Sequence, residues 1–130
     1  MPSYDAAGFT PPAPVARVTL RSPDHKLAVT DVAMLLDTGA DVSLVPRGAA
    51  TELALPDEPE GRYRLLSFDG SPSLAPAFRL EMIFCDRVFR GRFLLIDQEC
   101  GILGRNILNI LPIFYDGPHL TWEPQKAVES

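Results

Sequence analysis

The chain has 130 residues, of which 46% are hydrophobic, and a formal net charge of −5. That length makes one domain with a sufficient core. The acidic balance argues against nucleic acid as a partner, and no apolar run reaches membrane-spanning length, so no membrane partner is expected.

Residues 1–14 are rich in Pro, Ala and Ser and read as a flexible arm. They lack a basic start followed by an apolar stretch, so they are not a secretory signal and a cytoplasmic location is expected. The domain then runs over 15–124. Residues 16–20 alternate as a strand, 22–25 form a turn, and 26–36 make a second extended stretch. Residues 46–53 are a short helix candidate with Pro46 at its first position. An acidic, Pro-containing loop covers 56–60. The arms 62–66 and 74–78 flank Ser67-Phe68-Asp69-Gly70-Ser71-Pro72-Ser73, a hairpin with Asp69-Gly70 at its turn. Residues 78–84 and 87–96 form another hairpin through Cys85-Asp86. A short helix over 105–111 is stopped by Pro112. A last hairpin pairs 113–115 with 120–122 across Asp116-Gly117-Pro118, and 125–130 is a tail. Many short strands with frequent turns predict an all-β, barrel-like domain with one or two short helices.

Two segments carry chemistry. The apolar run Val32-Ala33-Met34-Leu35-Leu36 leads into Asp37-Thr38-Gly39-Ala40-Asp41. An ionisable group at the end of an apolar strand is costly unless it is held and used. Gly39 lacks a Cβ, so backbone and substrate can approach the carboxylate closely; Thr38 can hold the loop through its hydroxyl, and Ala40 is small enough to lie under the site. The second segment is Gly101-Ile102-Leu103-Gly104-Arg105-Asn106-Ile107-Leu108. Asp-Thr-Gly alone is an ordinary turn sequence, and the second segment alone is a buried strand entering a helix. In this order and spacing, the pair resembles the retropepsin-like (retroviral-type) aspartic proteases, and the helix candidate after Val45-Pro46 and the Asp116-Gly117-Pro118-His119-Leu120-Thr121 ending look more like stand-alone cellular or bacterial members than viral ones.

The resemblance implies a single-lobe acid-protease barrel and an aspartic endopeptidase. Its catalytic residues would be Asp37, Thr38 and Gly39. Such chemistry needs two carboxylates sharing a proton, one drawing a proton from water and the other donating to the scissile carbonyl. The chain has one Asp-Thr-Gly, so the second Asp37 must come from a second chain and the protein must be a two-fold homodimer. Leu35, two residues before Asp37, shares its face and joins Ile102, Ala40 and Asp41 as substrate-binding candidates. The hairpin bearing Phe68, Asp69 and Gly70 would be a flap over a peptide or protein substrate. Its single Gly and Pro72 imply a stiffer or shorter flap than the Gly-rich retroviral ones. Asp41 and Arg105 would pair within one subunit, and Leu120-Thr121-Trp122 would join the dimer interface.

No cofactor is implied. His25 and His119 stand far apart without partners at ligand spacing, so no metal site is assigned. Cys85 and Cys100 read as reduced, buried thiols. The alternative function is a catalytically silent dimerisation or peptide-binding module of the same fold.

Overall fold

A computed structural model describes residues 2–66 and 70–126. The described residues form ten strands: β1 (Tyr4–Asp5), β2 (Ala13–Arg21), β3 (Ala28–Leu36), β4 (Leu44–Pro46), β5 (Gly61–Leu66), β6 (Pro72–Phe84), β7 (Arg87–Ile96), β8 (Gly101–Leu103), β9 (Ile113–Asp116) and β10 (Thr121–Pro124). Two one-turn helices complete it, α1 (Arg47–Ala50), which runs on as a 3₁₀ turn over Thr51–Leu53, and α2 (Arg105–Leu108). The architecture is all-β, as the turn-rich pattern predicts.

One eight-stranded sheet runs in the order β1-β2-β3-β8-β4-β7-β6-β5, and a further β2–β6 pairing curls it back on itself. Strand alternation sets its faces. Ala16, Val18 and Leu20 on β2 and Val32, Met34 and Leu36 on β3 point into the main core with Leu80, Met82, Phe93, Leu95 and Leu103. Each fully buried side chain of this size contributes about 1.5–3 kcal/mol of transfer free energy. A smaller cluster of Ala75, Ala77 and Leu94 lies on the other face with Val42, Leu44 and Leu65 against it.

Four sequence expectations change. The N-terminal arm belongs to the fold: β1 pairs with β2 through Tyr4–Pro14 and Asp5–Ala13, and the Tyr4 N–H donates to the Leu120 carbonyl at 2.9 Å. Unpaired backbone here would leave donors unsatisfied beside the barrel end. The two stretches around Phe78 are one 13-residue strand, β6, which pairs first with β5 and then with β7. The first helix begins one residue later than the sequence suggests, because Pro46 is extended (φ −63°, ψ 128°) and ends β4. Finally, Trp122 belongs to its own chain's core. It is 3% exposed, its Nε1 donates to the Val15 carbonyl at 3.1 Å, and its ring lies 6.0 Å from that of Phe84. A side chain so engaged has no surface left for a partner.

Cys85 and Asp86 form a two-residue hairpin turn with φ of 53° and 60°, the left-handed pair that such connections require. Both cysteines are free and half-buried, and burial pushes both thiols up. Among the described residues no helix is long and apolar enough to cross a membrane, and no His, Cys, Asp and Glu group is arranged to hold a metal ion.

Candidate active site

Topology places the Asp-Thr-Gly segment. β8 lies between β3 and β4, so the chain leaving β3 must cross the end of β8 to reach β4. The crossing segment is 37–43. Its start extends the ladder: the Asp37 N–H donates to the Leu103 carbonyl at 3.0 Å. The loop then folds on itself. The Ala40 N–H donates to the Asp37 carbonyl at 3.2 Å, and the Gly39 N–H donates to Asp37 Oδ1 at 2.9 Å. A Cβ on Gly39 would stand 3.1 Å from that same oxygen, which is the close approach that glycine allows. Asp37 is half-buried, and Thr38 and Gly39 are exposed.

The second segment clamps the loop from below. A Cβ on Gly104 would overlap the Val42 carbonyl and lie 3.0 Å from the Ala40 oxygen. The Arg105 N–H donates to the Ala40 carbonyl at 2.8 Å, and Arg105 Nη1 donates to the Thr38 carbonyl at 2.7 Å. Ser43 completes the clamp. It is 3% exposed, its hydroxyl accepts from the Gly104 N–H at 3.0 Å, and it donates to Asn106 Oδ1 at 2.8 Å. Charge-assisted and buried bonds of this kind are the ones whose loss is most costly.

The two segments read from the sequence as a pair are therefore one unit. Leu35 and Ile102 are direct register partners in parallel β3 and β8. The row continues from Ile102 to Leu44 on β4, Leu94 on β7, Ala77 on β6 and Gly61 on β5. Leu35, Ile102 and Leu44 are half-buried while Leu36 and Leu103 turn into the core, so the row is a wall on the face opposite the main core.

The Asp41–Arg105 ion pair does not form within the chain. Arg105 turns its guanidinium to the Thr38 carbonyl, and Asp41 is exposed with no cation within ion-pair distance among the described residues. Thr38 contributes its carbonyl to the loop; no hydrogen bond from its hydroxyl occurs among the described residues. Phe68 and Asp69 lie outside the described residues. Gly70 is exposed with φ 83°, in the left-handed region that a tight turn asks of glycine. Its arms are paired from Gly61–Ala77 to Leu66–Pro72, so Pro72 and Ser73, read from the sequence as part of the turn, belong to the second arm.

Sequence reasoning passed over Ser43 and the clamping role of Asn106. The available signal was a hydroxyl between two aliphatics, Val42-Ser43-Leu44, where a buried polar group needs a partner.

The larger concavities lie elsewhere. One of about 560 Å³ is lined by Tyr4, Arg17, Phe84, Cys85 and Trp122, and one of about 620 Å³ lies beside α1, with Arg47 and Asp97 in its wall. A loop at the rim of one sheet cannot enclose a volume by itself, so neither contains Asp37.

No family model matches the chain, and no curated protein matches it. Among solved structures, EIAV protease complexed with the inhibitor HBY-793 is similar over 75% of this chain and 86% of that one, with a TM-score of 0.50 and 25% sequence identity. The fold is thus all-β and retropepsin-like.

Proposed function

We propose that the chain is one half of an aspartic endopeptidase and that two copies create the catalytic site. The observation that carries this reading is the clamped Asp37 loop on a fold shared with a retroviral protease. A lone carboxylate at the rim of one sheet has neither a proton-sharing partner nor a roof. A second Asp37 across a two-fold axis supplies the partner. One carboxylate then takes a proton from water as its oxygen attacks the peptide carbonyl, and the other, protonated, donates to the carbonyl oxygen. Collapse of the tetrahedral species expels the amine, which takes a proton from the dyad. Leu35, Ile102 and Ala40 line the strand-end face beside the scissile bond. The β5–β6 hairpin, with Gly70 at its tip, acts as the flap.

The dimer reading has its own support. β9 pairs with β10 along one edge and with nothing on the other among the described residues. Around it Ile110, Phe114, Tyr115 and Leu120 are exposed at 52%, 53%, 38% and 41%. An open edge with apolar flanks is where strands of a second chain add.

Asp37→Asn tests the catalytic reading. It is isosteric and leaves the Gly39 N–H an oxygen to bond. Cleavage of a mixed peptide library should fall to background while the circular dichroism spectrum and melting temperature stay close to wild type. Undiminished cleavage by the variant overturns the mechanism.

A further inference from the structure

The apolar wall ends in a charged pocket that the catalytic reading leaves unused. Two residues along β7 from Leu94 stands Arg92, and two along β5 from Gly61 stands Tyr63; both therefore share the wall's face. With Val42, Ser43, Leu94 and Asn106 they line a cavity of about 280 Å³ directly beside the Asp37 loop. A Cβ on Gly61 would lie 3.4 Å from the Tyr63 ring, so the ring folds back along its own strand and walls the cavity.

The charge in this cavity is unbalanced. Arg92 stands directly opposite Arg79 in the β6–β7 ladder, a like-charge pairing that destabilises a sheet. Glu60 offsets Arg79, at 3.1 Å. Arg92 has no carboxylate within ion-pair distance among the described residues. Asn106 gives its Oδ1 to Ser43, and its amide NH₂ makes no hydrogen bond among the described residues. The cavity thus presents a guanidinium and an amide donor, with Val42 and Leu94 as apolar walls. This is the complement of a carboxylate on a short aliphatic stem.

We propose that this cavity is a specificity subsite for an acidic side chain, Asp or Glu, of the bound peptide, with Arg92 as the residue that reads its charge. The proposal rests on the peptidase reading for the ligand being a peptide, and its test separates the two. Peptide libraries identical except for Glu or Gln fixed at one position at a time are assayed for cleavage by the wild type and for binding to Asp37→Asn protein. Arg92 is exposed in the single chain, so one position should favour Glu about two- to fivefold in both assays, as expected for an Arg–carboxylate pair at an open site. Arg92→Gln should erase that preference and Arg92→Glu should turn it toward Lys. Arg87→Gln, exposed at the far end of β7, should leave it unchanged. A Glu preference that survives Arg92→Gln, or none at any position in either assay, overturns the inference. An Arg92-dependent Glu preference in binding without any cleavage upholds the pocket and refutes the peptidase.

Discussion

Leu35 and Ile102 stand opposite one another in the parallel pairing of β3 and β8, although 66 positions separate them (102 − 35 − 1). Their pairing fixes the register of the two segments that make the site. With Leu36 opposite Leu103 in the core, the next residue on each chain is forced out of the sheet together: Asp37 at the loop and Gly104 beneath it. A slip of one residue would turn Leu35 and Ile102 inward and carry Asp37 off Leu103. The site is therefore as well defined as this short ladder.

Gly104→Ala should be among the most damaging single substitutions. The backbone φ is −93°, so the objection is not conformational; the added methyl meets the Val42 carbonyl. The expected cost is about 3 kcal/mol or more, read as a lowered midpoint in urea unfolding. A midpoint within error of wild type would show that the loop moves aside freely.

Ser43→Ala removes one hydroxyl, orphans the buried Gly104 N–H and frees the Oδ1 of the exposed Asn106. We expect a loss of about 1–3 kcal/mol and a fall in peptide cleavage, since the clamp locates Asp37. Ser43→Thr keeps the hydroxyl and should restore part of both. Equal stability of the Ala variant and wild type would mean that water replaces the hydroxyl without penalty.

Phe114→Glu addresses the proposed dimer. Phe114 is more than half exposed on β9, so the single chain should tolerate the change. A charge in an apolar seam should weaken association roughly tenfold or more, and cleavage should become steeply dependent on protein concentration. Sedimentation that gives wild-type dimerisation for this variant would move the interface elsewhere.

Glu81 gives the chain an acid-sensitive element. Its carboxylate is buried, and that burial alone would push its pKa up. Arg21 at 2.7 Å, Arg90 at 2.6 Å and His25 at 3.0 Å outweigh it and hold the pKa down at about 2, from an ordinary 4.5. A depressed folded-state pKa means that the group stabilises the fold above its unfolded value. That stabilisation is present above pH 4.5 and is lost as pH falls toward about 2. Glu81→Gln should be less stable than wild type at neutral pH, with the difference shrinking through that window. Parallel stability curves for the two proteins across it would remove Glu81 from the acid response.

Period-two patterning made most strands visible, because Val18, Leu20, Val32, Met34 and Leu36 alternate against half-buried or exposed neighbours. The two site segments were legible for a related reason. Each is a short apolar run broken by glycine and polar residues, Asp37-Thr38-Gly39 and Gly104-Arg105. What escaped was long-range. Tyr4 gave no sign that residue 120 would accept its N–H. Trp122 read as a surface anchor because its partners, Val15 and Phe84, come from other parts of the chain. The family resemblance put Asp41 and Arg105 together. In the structure the Arg105 guanidinium donates to the Thr38 carbonyl instead.

β6 ends in two different places. Its first residues are an arm of the β5–β6 hairpin, and its last hold Leu80, Met82 and Phe84 in the core with Glu81 in its cationic clasp. No loop interrupts it. β5, the other arm, stops at Gly61, held past that point by the Glu60 N–H on the Ala77 carbonyl. The hairpin is therefore a cantilever with one anchored beam and one short brace. If the hairpin is the flap proposed above, a load on it runs down β6 into the main core at Leu80, Met82 and Phe84. The brace ends at Gly61 and carries no continuation into that core.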